Sequence, residues 1–184
     1  MENIKLIAIQ IPDDLKEKFI EIQGGIKGYG KIKAVEEENV HITLKFLGDV
    51  DENKIDNVVE NLNFIQGHKK FGAELKGVGV FPGPDYIRVV WVGVEKGADD
   101  IRDIHLQIDE NLKKLGFKKD GKFHPHATIA RVKFVSNKRE FKKFLSSLGK
   151  TYFGEFQVDK IELVQSELTP KGPVYTTLKE FELK

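Results

Sequence analysis

Two short strings in this chain carry side chains suited to acid–base chemistry: His41-Ile42-Thr43-Leu44 and His126-Ala127-Thr128-Ile129. Each reads His, apolar, Thr, apolar, and they lie in opposite halves of the 184 residues. On a β-strand, side chains two apart share a face, so each string presents an imidazole and a hydroxyl to one side and anchors itself with the other. Imidazole titrates near pH ~6.5, so one ring can take a proton while a second gives one. Hydrolysis of a phosphate diester needs that pair, a base to activate water and an acid for the leaving oxygen. Threonine hydroxyls can donate to the non-bridging oxygens, where charge builds up. His41, Thr43, His126 and Thr128 are therefore the candidate site; the plain alternative is two strand histidines bonded to neighbouring backbone.

The flanking residues are less clear-cut. Strict alternation puts Lys45 on the face of His41 and Thr43, where its charge would border a phosphate, unless it is a solvated edge lysine. The same rule puts Arg131 on the face opposite Thr128, so it reaches the site only if the strand ends or bulges between them. His124-Pro125-His126 offers two metal-type ligands, but the nearest upstream carboxylate is Asp120 and no third ligand has an obvious spacing, so no metal is expected. His68, in a polar loop, and His105, in a helix otherwise paced by isoleucine and leucine, read as structural or surface residues. Gly77-x-Gly79 is too short for a dinucleotide loop and reads as a bend or bulge.

The elements that must position these groups follow from periodicity. Strands are expected at 4–11, 31–35, 41–47, 71–81, 86–94, 126–132, 153–158, 160–165 and 174–183, with the turn Pro82-Gly83-Pro84-Asp85 between two of them. Helices are expected from Pro12-Asp13-Asp14 to a break at Gly24, over 52–62, over 98–115 with Gly116 ending it, and over 137–148 with a cap at or near Ser136. The order, with its many hairpin connections, implies an α+β fold: one domain, 1–184, of two lobes, each an antiparallel sheet with flanking helices, related by a pseudo-twofold around a central cleft. Thirty basic and twenty-nine acidic residues leave a net charge of +1, so global charge does not mark a nucleic-acid binder. The absence of cysteine excludes disulfides, thiolate nucleophiles and cysteine metal sites. No apolar run approaches the ~20 residues of a membrane span, and the N-terminus lacks the long apolar core of a secretory signal. A cytoplasmic monomer without membrane contact is expected.

Beyond these readings, His41-Ile42-Thr43-Leu44-Lys45-Phe46-Leu47-Gly48 and His126-Ala127-Thr128-Ile129-Ala130-Arg131 resemble the two signatures of the two-histidine (2H) phosphoesterases, specifically the RNA 2′,3′-cyclic phosphodiesterases long called 2′-5′ RNA ligases. Leu6-Ile7-Ala8-Ile9 with Pro12, Arg88-Val89-Val90-Trp91-Val92-Gly93 after Phe81-Pro82, and Leu163-Val164-Gln165-Ser166-Glu167-Leu168 with Gly172-Pro173-Val174-Tyr175 extend the resemblance over nearly the whole chain. It implies hydrolysis of an RNA 2′,3′-cyclic phosphate end to a 2′-phosphate, without cofactor, and an ATP-independent reverse reaction joining tRNA halves through a 2′-5′ linkage. The residues alone leave acid and base interchangeable; the resemblance makes His41 the proton donor and His126 the proton acceptor, with Thr43, Thr128 and Arg131 on the phosphate. Two rivals stand beside this reading: a binding module that captures RNA ends without turnover, and a 2H enzyme for a small cyclic nucleotide or a 2′-5′ oligonucleotide. Lysines in the loops Gly24–Lys31, Lys118–Phe123 and Glu167–Pro173 would rim the cleft for RNA, or are simply solvated.

Overall fold

The structure, a computed structural model, describes residues 3–170 and 172–184. Lys171, the lysine of the third of those loops, lies outside the described residues. The strands are β1 (Asn3–Gln10), β2 (Gly30–Ala34), β3 (His41–Asp49), β4 (Phe71–Gly83), β5 (Tyr86–Val94), β6 (His126–Val135), β7 (Tyr152–Val158), β8 (Lys160–Thr169) and β9 (Gly172–Glu182). The helices are α1 (Asp13–Ile26), α2 (Ile55–Leu62), α3 (Ala98–Lys113) and α4 (Lys138–Ser147).

The α+β fold with antiparallel pairing is as the hairpin pattern implies. Where the sequence pattern suggests two sheets, however, the strands of the described residues form one nine-stranded sheet in the order β7-β4-β5-β6-β3-β1-β8-β9, with β2 also alongside β6. The two signature strands are neighbours in its middle. They join at a single residue pair, Ile42 with Ala127, and that pair makes one sheet out of two. On one side of it the chain leaves β2, which runs alongside β6, through the turn Glu37–Asn39; on the other, β6 has not yet begun. The sheet therefore opens where the histidines stand.

Each helix forms for a local reason. Asp13 and Asp14 occupy the first turn of α1, where carboxylates suit the positive end of the helix dipole. The expected break at Gly24 does not occur. Ile22 and Ile26 are buried on the same helix face, and Gly25 lets α1 approach α4, since a Cβ there would lie 2.9 Å from the Phe144 ring. Asn137, next to the expected Ser136, caps α4 by accepting from the Glu140 amide at 3.2 Å. Helix α3 buries Ile101, Ile104, Ile108 and Leu112 in the main core; each such side chain contributes about 1.5–3 kcal/mol on removal from water. In β4, Gly77 takes a left-handed backbone (φ +75°) at a register shift against β5, the bend its glycine pattern predicts. Gly79 makes room for the Trp91 ring, two of whose atoms would lie 2.2 Å from a Cβ.

That last contact yields a prediction. Gly79→Ala should destabilise the fold by about 1–3 kcal/mol, the usual range for overpacking. Denaturant titration followed by Trp91 emission measures this, because Trp91 is the only tryptophan in the chain.

Candidate active site

Antiparallel register at the Ile42–Ala127 pair fixes the arrangement of the candidate groups. Ile42 and Ala127 point into the core, both fully buried. Their neighbours therefore all face the cleft, with His41 opposite Thr128 and Thr43 opposite His126. The two imidazoles occupy one diagonal of a four-cornered group and the hydroxyls the other. In an ideal ladder such diagonal partners lie ~7–8 Å apart, a separation that leaves room for one small tetrahedral anion between them.

Beyond this group, alternation fails in the same way on both strands. Ala8 pairs with Thr43 and Ile7 with Lys45, so Leu44 is an extra, bulged residue in β3. Trp91 pairs with Thr128 and Val90 with Ala130, so Ile129 is the corresponding extra residue in β6. The first seven positions of the two strands show the same pattern of burial as a result. Each bulged carbonyl is held by a buried polar side chain from a helix. Leu44 O accepts from His105 Nδ1 of α3 at 2.8 Å, and Ile129 O accepts from Gln23 Nε2 of α1 at 2.9 Å. Gln23 Nε2 also reaches Val35 O at 2.8 Å.

The bulges decide the fate of the flanking residues. Arg131 is returned to the cleft face and lines the cleft, and among the described residues no carboxylate lies within ion-pair distance of it. Lys45 goes the other way: it is 2% exposed instead of bordering a phosphate from the face of Thr43. Its ammonium lies 2.5 Å from Asp109 Oδ1 and 3.2 Å from Asp120 Oδ1, and donates to Lys118 O at 2.9 Å. The Asp120 amide donates to Asp109 Oδ2 at 3.0 Å, and Phe123 stacks on His105 at 3.9 Å. Lys45 thus fastens the segment leading into β6 onto β3 and α3. Among the described residues His105, Asp109 and Asp120 group their ligand atoms as a metal site would, within 4.8 Å. A buried ammonium already bonded to both carboxylates supplies the positive charge this group calls for.

The imidazoles are oriented from their own strands. His126 Nδ1 lies 2.7 Å from His124 O, and since a carbonyl only accepts, Nδ1 carries the proton and Nε2 is left with a lone pair. Asn39, likewise two residues ahead, gives His41 a backbone acceptor. Aromatic rings meet both histidines edge-on: Tyr175 at 5.2 Å from His41, Phe81 at 5.0 Å from His126. Burial pulls the pKa of His41 down to about 4, against the opposing effect of the Asn39 backbone. Burial also lowers His126, again against its bond to the His124 carbonyl. His124 is lowered by burial and then by the neighbouring His126. Lowered in this way, the imidazoles are neutral at neutral pH, and an anion entering the cleft would favour their protonated forms.

The cleft has a volume of about 680 Å³, within the range of small-ligand sites. His41, Thr43, His126, Thr128 and Arg131 all line it. Tyr175, Trp91 and Lys33 also line it and were not singled out from the sequence, and the positioning roles of Gln23 and His105 were hidden by their apolar helical setting.

The Lys45 cluster yields the second prediction. Lys45→Met strands a buried Asp109 carboxylate and should cost about 3–5 kcal/mol, as breaking a buried pair does. Lys45→Met with Asp109→Leu should recover most of that loss, and urea denaturation of the two variants compares them.

Known proteins share this architecture. The family described as LigT-like phosphoesterase matches twice in succession, over residues 9–91 and 92–175, each match holding one His-x-Thr string. An RNA 2′,3′-cyclic phosphodiesterase of Methanocaldococcus jannaschii is 43% identical over 175 residues, which is 95% of this chain and 98% of that one. A protein of the same name from Archaeoglobus fulgidus is 40% identical over 176 residues, covering 96% and 98%. A crystal structure from Thermus thermophilus superposes with a TM-score of 0.82 at 27% identity, covering 99% of this chain and 97% of that one. Escherichia coli LigT, crystallised with 3′-AMP, shares the fold with a TM-score of 0.78 at 21% identity, covering 100% and 99%. With the family match running over residues 9–91 and 92–175, and a relative 43% identical over 95% of the chain, the chain belongs to the LigT-like phosphoesterase family.

Proposed function

We propose that this protein hydrolyses the 2′,3′-cyclic phosphate at an RNA end to a 2′-phosphate, using side chains alone. The observation that carries this reading is the diagonal pair of imidazoles, interleaved with two hydroxyls, on one cleft face beside a free guanidinium. Relatives named RNA 2′,3′-cyclic phosphodiesterase support the choice of substrate.

In this mechanism His126 Nε2 takes a proton from water as it attacks phosphorus in line with the 3′ oxygen. The P–O3′ bond breaks, and His41 gives its proton to the departing oxygen. Thr43, Thr128 and Arg131 donate to the non-bridging oxygens as charge grows there. The bound cyclic phosphate supplies the negative charge that lets His41 hold a proton in the complex. All five groups come from one chain, so the reaction needs no second copy. A 5′-hydroxyl of another RNA end in place of water would give a 2′-5′ phosphodiester without ATP, as between tRNA halves.

The test is an RNA oligonucleotide ending in 2′,3′-cyclic phosphate, incubated with the protein in EDTA and analysed by mass and linkage. A 2′-phosphate end is expected, with the rate cut about 10²–10⁴-fold by His41→Ala and by His126→Ala. An unchanged end that still binds would favour a capture module. Loss of activity in EDTA, restored by a divalent ion, would point to a different mechanism.

The histidine environments add a pH prediction. The free protein's acid must be protonated although its pKa is about 4, and its base must be neutral with a pKa below the ordinary 6.5. Since kcat/KM reports free-enzyme groups, it should peak below pH 6.5 and fall about tenfold per pH unit on the alkaline side. A maximum of kcat/KM above pH 7.5 would contradict the assignment of these two histidines.

A further inference from the structure

The two halves of the chain follow one plan but carry opposite charge beyond the cleft. In each, a His-x-Thr strand bulges after its threonine, returns a side chain to the cleft (Phe46 in β3, Arg131 in β6), and runs on toward a helix, α2 or α4. From Arg131 to Lys143 there are six basic residues and one acidic residue. Over the equivalent positions, Phe46 to Val58, there are four acidic residues and one basic. The whole chain carries only +1. The fold asks for neither sign, since strand and helix form with both.

On the basic side the cations stand clear of carboxylates. Past Arg131, Phe134 pairs with Lys31 and Val132 with Ile32, so Lys133 is an extra residue in β6. Phe81 pairs with Val89 and Pro82 with Ile87, so Arg88 is likewise an extra residue in the neighbouring β5. The Arg88 guanidinium donates to Lys133 O at 3.3 Å and lies over the Tyr86 ring at 4.8 Å. A hollow of about 210 Å³ between these strands and α4 is lined by Arg88, Lys133, Phe134 and Lys138. Among the described residues no carboxylate lies within ion-pair distance of Lys31, Arg88, Lys133 or Lys138, whereas Lys142 is paired with Asp85. Phe134 is 62% exposed beside them.

Clustered cations interleaved with exposed aromatic rings suit a single-stranded nucleic acid, whose phosphates meet the charges and whose unpaired bases meet the rings. The cluster starts at Arg131, in the cleft that would hold the reacting phosphate. We infer that the RNA strand leading up to the reacting nucleotide leaves the cleft past Arg131 and lies along Lys31, Arg88, Lys133 and Lys138. The acidic positions after Phe46 repel a strand taking the opposite way. Charge thus gives the bound RNA one direction in a site whose histidines and threonines are nearly symmetric. This rests on the proposed activity for its substrate class, but binding tests it without turnover.

The probe is a labelled single-stranded RNA of about twelve nucleotides ending in a 2′-phosphate, read by fluorescence anisotropy, with a dinucleotide of the same end as competitor. Lys31→Ala, Lys133→Ala and Lys138→Ala together should weaken the long RNA about 10- to 100-fold at low salt and leave the dinucleotide within about twofold. The slope of log Kd against log salt should flatten by about 2, the share of three phosphate contacts. Arg88 is left in place because it satisfies the Lys133 carbonyl. Removing three exposed lysines from other elements, Lys69, Lys114 and Lys179, should weaken the long RNA less than about threefold. Equal losses from the two triple variants, equal losses for long RNA and dinucleotide, or an unchanged salt slope would overturn the assignment. So would a duplex of the same length that binds as tightly with the same dependence on these lysines. A long RNA that binds with the expected lysine dependence, but whose 2′,3′-cyclic end is never turned over, would overturn the activity and leave the surface standing.

Discussion

Two hydrogen bonds to strand carbonyls hold this site in shape. A bulge needs an acceptor satisfied off the ladder, and here His105 and Gln23 donate to the carbonyls of Leu44 and Ile129 from inside the core. A buried carbonyl without such a partner would be costly. Each bulge adds one residue after the threonine, and with it the next side chain changes face. Arg131 and Phe46 are thereby delivered to the cleft and Lys45 is sent into the core. Once buried, Lys45 requires Asp109 and Asp120, and those carboxylates bring the segment before β6 against β3. The helices thus act on the site through backbone acceptors, without any of their side chains having to reach the ligand.

The electrostatics have the same economy. A near-neutral chain places its few cleft cations where an anion would need them, and leaves its imidazoles uncharged until one arrives. Burial that depresses His41 also strengthens any charge interaction made in the cleft, because less water screens it. The low free-state pKa and the capacity to respond to a bound phosphate are two results of one desolvated position.

Much of this was legible in the sequence because it is local. Each His-x-Thr string falls on a strand whose apolar partners face the core, the periodicity of α3 gives its buried face, and the glycines of β4 mark its bend. The residues that strict alternation misplaces are those governed by distant partners. Nothing near Lys45 announces Asp109 or Asp120, and nothing near Ile129 announces Gln23. Arg131 was open on alternation alone and needed the bulge to decide it. Gly24 and Gly25 read as a break although the helix continues through them, because Phe144, far along the chain, uses the space that Gly25 leaves. The merging of two expected sheets into one hangs on the single Ile42–Ala127 pair, below what a pattern of hydrophobicity can encode.

The His124 carbonyl that orients His126 sits only two residues before it, with Pro125 between. Proline restricts the residue ahead of it to extended backbone and fixes its own φ, so the aim of that carbonyl is written into three consecutive residues. A serine-protease-type site, by contrast, must bring its orienting carboxylate from elsewhere in the fold. Here the candidate imidazole and the carbonyl that sets its tautomer travel as one cassette. Such a cassette keeps its geometry while the surrounding chain is rewritten, provided a strand remains to carry it.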